Sequence, residues 1–204
     1  NYFYEILDPK HEPKPLVATL LAHLEKIVQY NVQSSEKEKF DGVMLDIEPY
    51  ISDSWKENPE EYMDRYISCM KKGYKFAQKN HLRTAICIPR HYDNQGLTSG
   101  LEELIKETCD EVAVMNYSCG NEIEAIRTEA ALSEKYGKEL HCILEFQEVG
   151  KHGLTENKTY RNKGIDNAKE TWEKLQKEYK NINVTRDYHW SRPVREMLEE
   201  KNAD

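Results

Sequence analysis

The chain has 204 residues, a formal net charge of −8, 38% hydrophobic and 32% charged residues. These values suit one domain with a full core and exclude a disordered chain. No Lys/Arg stripe marks a nucleic-acid partner, and no apolar run approaches the roughly 18 residues a membrane span needs.

The apolar spacing of Leu16, Leu20, Leu24, Ile27 and Val28, opened by Pro13 and Pro15, predicts a helix to about Tyr30. The polar run Asn31 to Lys39 reads as a loop. FDGVMLDIEPY (Phe40 to Tyr50) follows, a short apolar run opened by Asp-Gly and closed by Glu-Pro, and predicts a buried strand. Pro59 opens a long helix ending near Asn80. Thr84 to Ile88, Glu111 to Tyr117, His141 to Phe146 and Val184 to Trp190 are the next strands. Helices are expected at Leu101 to Glu107, Glu122 to Tyr136 (stopped by Gly137), Asn167 to Tyr179 and Val194 to Glu199.

Alternating helices and short apolar strands mean a parallel α/β sheet covered by helices. Five strands are counted, and Asn1 to Ile6 offers the end of an earlier one. An open doubly wound sheet fits that count on its own, but it normally carries a Gly-rich phosphate loop after a strand, and the sequence has no G-x-G-x-x-G and no Walker motif; no cofactor is expected. Long polar loops (Ile51 to Asn58, Arg90 to Gly100, Gln147 to Lys163) follow strand C-termini, where a barrel builds its catalytic face.

Within Val43 to Glu48, alternate side chains face opposite ways. Val43, Leu45 and Ile47 form an apolar face; Met44, Asp46 and Glu48 form the other. Two carboxylates on an inward face are costly to bury, and their repulsion is expected to raise one pKa, as a general acid requires. The five cysteines (69, 87, 109, 119, 142) lack C-x-x-C spacing and read as free thiols. His152 and His189 lack the spacing of a metal pair with any carboxylate, so no metal is expected.

FDGVMLDIEPY resembles the strand-four signature of the chitinase-like barrels of glycoside hydrolase family 18, D-G-x-D-x-D-x-E. Asp41, Gly42, Asp46 and Glu48 match it. The resemblance implies a (β/α)8 TIM barrel, here partial, strands four to eight with flanking helices in a single catalytic domain over residues 1–204 that lacks N-terminal strands. It makes Glu48 the acid/base and Asp46 the residue that orients a substrate N-acetyl group. VAVMNY is similar to the family's strand-six element, which assigns Met115 and Tyr117 to the sugar site, and YHW is similar to its strand-eight Trp, here Trp190. His91, Gln147 and Tyr188 stand at strand ends as further substrate contacts. Glu145, ending the strand counted as seventh, is a second catalytic candidate; many retaining barrels carry their nucleophile there, roughly 5–5.5 Å from the acid/base.

Three departures set the chain apart from ordinary chitinases. Met44 replaces the middle Asp, Ser118 follows Tyr117 where chitinases have Asp, and Pro49-Tyr50 reverses the usual Tyr-Pro. The expected function is hydrolysis of an oligosaccharide or polysaccharide; the alternative is a carbohydrate-binding barrel without turnover. The first residue is Asn1, not Met. If a leader has been removed, the protein is secreted or in the cell envelope; otherwise it is cytoplasmic.

Overall fold

The computed structural model describes residues 3–7 and 16–203; the reading of Pro13 and Pro15 lies outside them. The chain divides into two compact units. One holds the described residues through Ile88 together with Tyr92–Val112, the other Pro89–His91 and the residues from Ala113 onward.

The first unit starts with strand β1 (Phe3–Leu7), then helix α1 (Leu16–Gln33), strand β2 (Gly42–Asp46), the short helix α2 (Asp53–Glu57), helix α3 (Pro59–Lys79), strand β3 (Arg83–Pro89) and helix α4 (Thr98–Thr108). Its strands run in sequence order, β1-β2-β3, and pair in parallel, with Leu7 opposite Asp46 and Asp46 opposite Cys87. β2 is thus hydrogen-bonded on both sides. Its alternation follows the predicted pattern: Val43, Leu45 and Ile47 are buried, whereas Met44, Asp46 and Glu48 are partly open.

Helix α3 buries Met63, Tyr66, Ile67, Met70, Gly73 and Ala77, at helical spacing. Tyr62, Tyr74 and Phe76 lie at the half-buried margins of that stripe. Gly73 faces α1 closely, since a Cβ there would come within 2.6 Å of Leu20 Cδ2 and 3.8 Å of Leu24 Cδ1.

The second unit is built on strand β4 (Glu111–Met115), helices α5 (Glu122–Ala125) and α6 (Arg127–Tyr136), strand β5 (Glu139–Glu145), helix α7 (Ile165–Glu178), strand β6 (Val184–His189) and helix α8 (Ser191–Ala203). The strands again follow sequence order, and β5 pairs with β6 in parallel, Glu145 opposite His189. Trp172 on α7 is buried and donates from Nε1 to the Cys142 carbonyl at 2.9 Å, fixing the helix on the strand.

Several boundaries differ from the sequence reading. β1 is a strand additional to the five counted. α1 continues past Tyr30 to Gln33, because the Asn31 side chain bonds the backbone of Phe40 in both directions and is satisfied within a helix. The interval 51–58, read as a loop, contains α2, whose Ser52 cap accepts from the Trp55 amide. The helix predicted over 122–136 breaks at Ile126, where φ is −126° and ψ 19°. β2 stops at Asp46 and β4 at Met115, so Glu48 and Tyr117 lie just past their strands. No described helix is long and apolar enough to cross a membrane.

Candidate active site

In the first unit, the chain turns sharply after β2. Glu48 precedes a 3-10 turn over Pro49–Ile51, in which the Ile51 amide donates to the Glu48 carbonyl at 3.3 Å and the Ser52 amide to the Pro49 carbonyl at 3.2 Å. Pro49 suits the first position of this turn, where its φ is already set and its missing N–H costs nothing. The turn brings the phenol of Tyr50 back onto Glu48, where it donates to Oε1. Behind Tyr50 stands Tyr92, wholly buried, with its ring edge-on at 6.1 Å; Tyr92 in turn packs on buried Trp55 at 5.6 Å.

This pocket of rings disfavours charge on the phenols. Burial pushes Tyr50 far above the ordinary tyrosine value, with its bond to Glu48 and the Glu48 charge adding to that. Burial, then the charge of Glu48, does the same to Tyr92. Tyr66 on α3 is raised by burial first, with Tyr92, Cys87 and Asp46 contributing. All three stay neutral hydroxyls around the Asp46–Glu48 pair at any ordinary pH.

In the second unit, Glu145 ends β5 and is 2% exposed. Its Oε1 accepts from the amides of Phe146 (2.8 Å) and Gln147 (2.7 Å); its Oε2 faces Gln147 Nε2 at 3.3 Å and His189 Nδ1 at 2.8 Å. The loop that follows folds back on this strand end: Thr159 Oγ1 donates to the Gln147 carbonyl at 2.6 Å, and the Tyr160 amide to the Glu145 carbonyl at 2.8 Å. The His189 ring lies 6.1 Å from that of Tyr117, tilted by 33°. A single imidazole and a single carboxylate are fewer ligands than metal sites use.

The predicted residues therefore fall into two groups. Asp46 and Glu48 belong to the first unit; Tyr117, Glu145 and Gln147 gather with His189 in the second. Met115 is half-buried at the end of β4, and His91 is half-buried just after β3. Tyr188 and Trp190, at 50% and 43% exposure, present large ring surface to solvent. Nothing in the sequence pattern marks Tyr50, Tyr92 and Trp55 as site residues, and it offers His189 only as a candidate metal ligand. The signal for His189 was its place opposite Glu145 if both strands are parallel neighbours.

No protein-family model matches the chain, and no curated protein matches it in sequence. Among solved structures, a glycoside hydrolase family 18 chitinase from Pseudoalteromonas aurantia superposes with a TM-score of 0.53 at 11% identity, covering 97% of this chain and 75% of its own. The fold is that of a chitinase-like TIM barrel, in part. At this identity the likeness speaks for the fold alone. The glycoside hydrolase domain of PgaB (BpsB) from Bordetella bronchiseptica superposes with a TM-score of 0.49 at 10% identity, covering 96% of this chain and 65% of its own. A catalytic domain of the group II chitinase of Ostrinia furnacalis, crystallised as a mutant with a chitooligosaccharide, gives 0.40 and 16% over 71% and 45%.

Proposed function

We propose that this barrel hydrolyses a glycosidic bond, with Glu48 as the acid/base. The observation that carries the reading is the position of Glu48: it follows a buried central strand, two residues beyond Asp46, on the partly open side of the alternation. A carboxyl group there reaches solvent and substrate while its backbone is fixed by a turn.

In this reading Glu48, protonated, donates to the leaving glycosidic oxygen and then, as carboxylate, removes a proton from the attacking water. Asp46 orients the substrate's acetamido group, whose carbonyl oxygen is the nucleophile. Glu145 is less suited to nucleophilic attack, because both of its oxygens already accept hydrogen bonds and it is 2% exposed. We assign it instead to holding His189 and Gln147, which with Tyr117 contact the sugar. Met115, His91 and Tyr188 are further contacts. The exposed indole of Trp190 suits the apolar C–H face of a pyranose ring.

The test is release of reducing ends from chitooligosaccharides by the wild type and by Glu48→Gln. The variant keeps the shape and removes the acid, so turnover falls by about 10²–10⁴-fold. Full activity in Glu48→Gln on a substrate the wild type cleaves ends the assignment. Binding of the oligosaccharide by a wild type that never cleaves it makes the protein a carbohydrate-binding barrel instead.

A further inference from the structure

The reversal of Tyr-Pro to Pro49-Tyr50 has a geometric consequence. With proline first, the chain enters a 3-10 turn directly after Glu48, and the tyrosine sits two residues on, where its phenol returns to the carboxylate. The ring is held by the edge-on contact with Tyr92, itself packed on Trp55, so the hydroxyl has little freedom to leave. Among the described residues, the hydrogen bonds of the Glu48 carboxylate go to Oε1, and Glu48 itself is partly open.

We infer that Tyr50 is the positioning residue of Glu48: it holds Oε1, fixes the rotamer, and leaves Oε2 to carry the proton delivered to the glycosidic oxygen. This rests on the glycosidase reading above. The phenol donates to Oε1 of the carboxyl group and so keeps the other oxygen turned toward the substrate. The other titratable groups of this unit that bear on the pair are Asp46 on β2, Cys87 on β3, Tyr92 after β3 and Tyr66 on α3. The tyrosines are neutral there, so the charge beside Tyr50 other than that of Glu48 is Asp46. The middle signature position, Met44, adds none.

Tyr50→Phe removes the hydroxyl and keeps the ring against Tyr92. The expected result is a fall in kcat of about tenfold with KM little changed, the size of one charge-assisted hydrogen bond made in the transition state. A Tyr50→Phe enzyme with wild-type kcat, where Glu48→Gln is inactive, overturns the inference and leaves the glycosidase reading standing. A second measurement needs no turnover. In protein labelled with 13C at tyrosine Cζ, Tyr50→Phe identifies the Tyr50 signal, and Glu48→Gln is expected to shift it. An identical Tyr50 signal in wild type and Glu48→Gln overturns the inference whatever the protein hydrolyses.

Discussion

Nδ1 of the half-exposed His189 lies 2.8 Å from Oε2 of Glu145, a carboxylate whose other oxygen caps two backbone amides. Removing that carboxylate leaves the Gln147 amide without its acceptor at a buried strand end, while the Phe146 amide keeps its bond to the His189 carbonyl at 2.9 Å. Glu145→Ala is therefore expected to cost roughly 1–3 kcal/mol, lowering Tm by on the order of 2–12 °C. Glu145→Gln keeps an oxygen for the amides and is expected to cost only about 1 kcal/mol. Equal melting temperatures for the two variants in calorimetry would remove the capping role.

Gly137 ends α6 with φ 63° and ψ 38°, its amide directed at the carbonyls of Glu134 and Ser133. A Cβ there would meet nothing within 4 Å, so the cost of Gly137→Ala is conformational alone. We expect a loss of about 1 kcal/mol in urea unfolding, with Gly137→Asn losing less because Asn tolerates the left-handed region. No loss in the alanine variant would mean that the helix ends differently in solution.

None of the five thiols is in a disulfide; four are buried and Cys119 is half-buried. Burial pushes Cys142 up to about 12 and Cys119 up to about 11, the latter aided by Glu122 and opposed by Lys163. Thiolate, the reactive form, is scarce at neutral pH for both. Alkylation of native protein by iodoacetamide should be slow at pH 7, should reach Cys119 before Cys142, and should accelerate at Cys119 about tenfold per pH unit below pH 11. Mass mapping of the modified peptides checks the order, and urea should open all five sites. Rapid labelling of Cys142 in native protein would contradict its burial.

The parts of this fold that were legible in the sequence are those set by period. The alternation at Val43 to Glu48, the stop at Gly137 and the strand-helix order follow from local patterning, and the structure repeats them. What escaped depends on chain reversal. The Pro49–Ile51 turn that swings Tyr50 onto Glu48 is too short to carry a hydrophobic period, and α2 hides in a stretch whose only buried residue is Trp55. The link between Glu145 and His189 spans 44 residues and becomes visible only once the β5–β6 register pairs them. Glu145 was legible as a strand-end carboxylate, whereas the donors that occupy it were not.

That occupancy bears on the choice of nucleophile. If Glu145 attacks the sugar, Glu145→Gln abolishes turnover on any substrate, and added azide restores cleavage to a product of inverted configuration, because the small anion enters where the carboxylate stood. If the substrate's own acetamido oxygen attacks, Glu145→Gln disturbs only the His189–Gln147 arrangement. The expected outcome is the second: KM rises several-fold, kcat stays within about tenfold of wild type, azide has no effect, and a thiazoline that mimics the cyclised acetamido intermediate inhibits tightly, as a stable analogue of that intermediate should. Asp46→Asn should weaken that inhibition markedly, since Asp46 is the group assigned to orient the acetamido nitrogen. Azide rescue in Glu145→Gln, together with indifference to the thiazoline, would transfer the nucleophile's role to Glu145 and leave Glu48 as acid/base in either case.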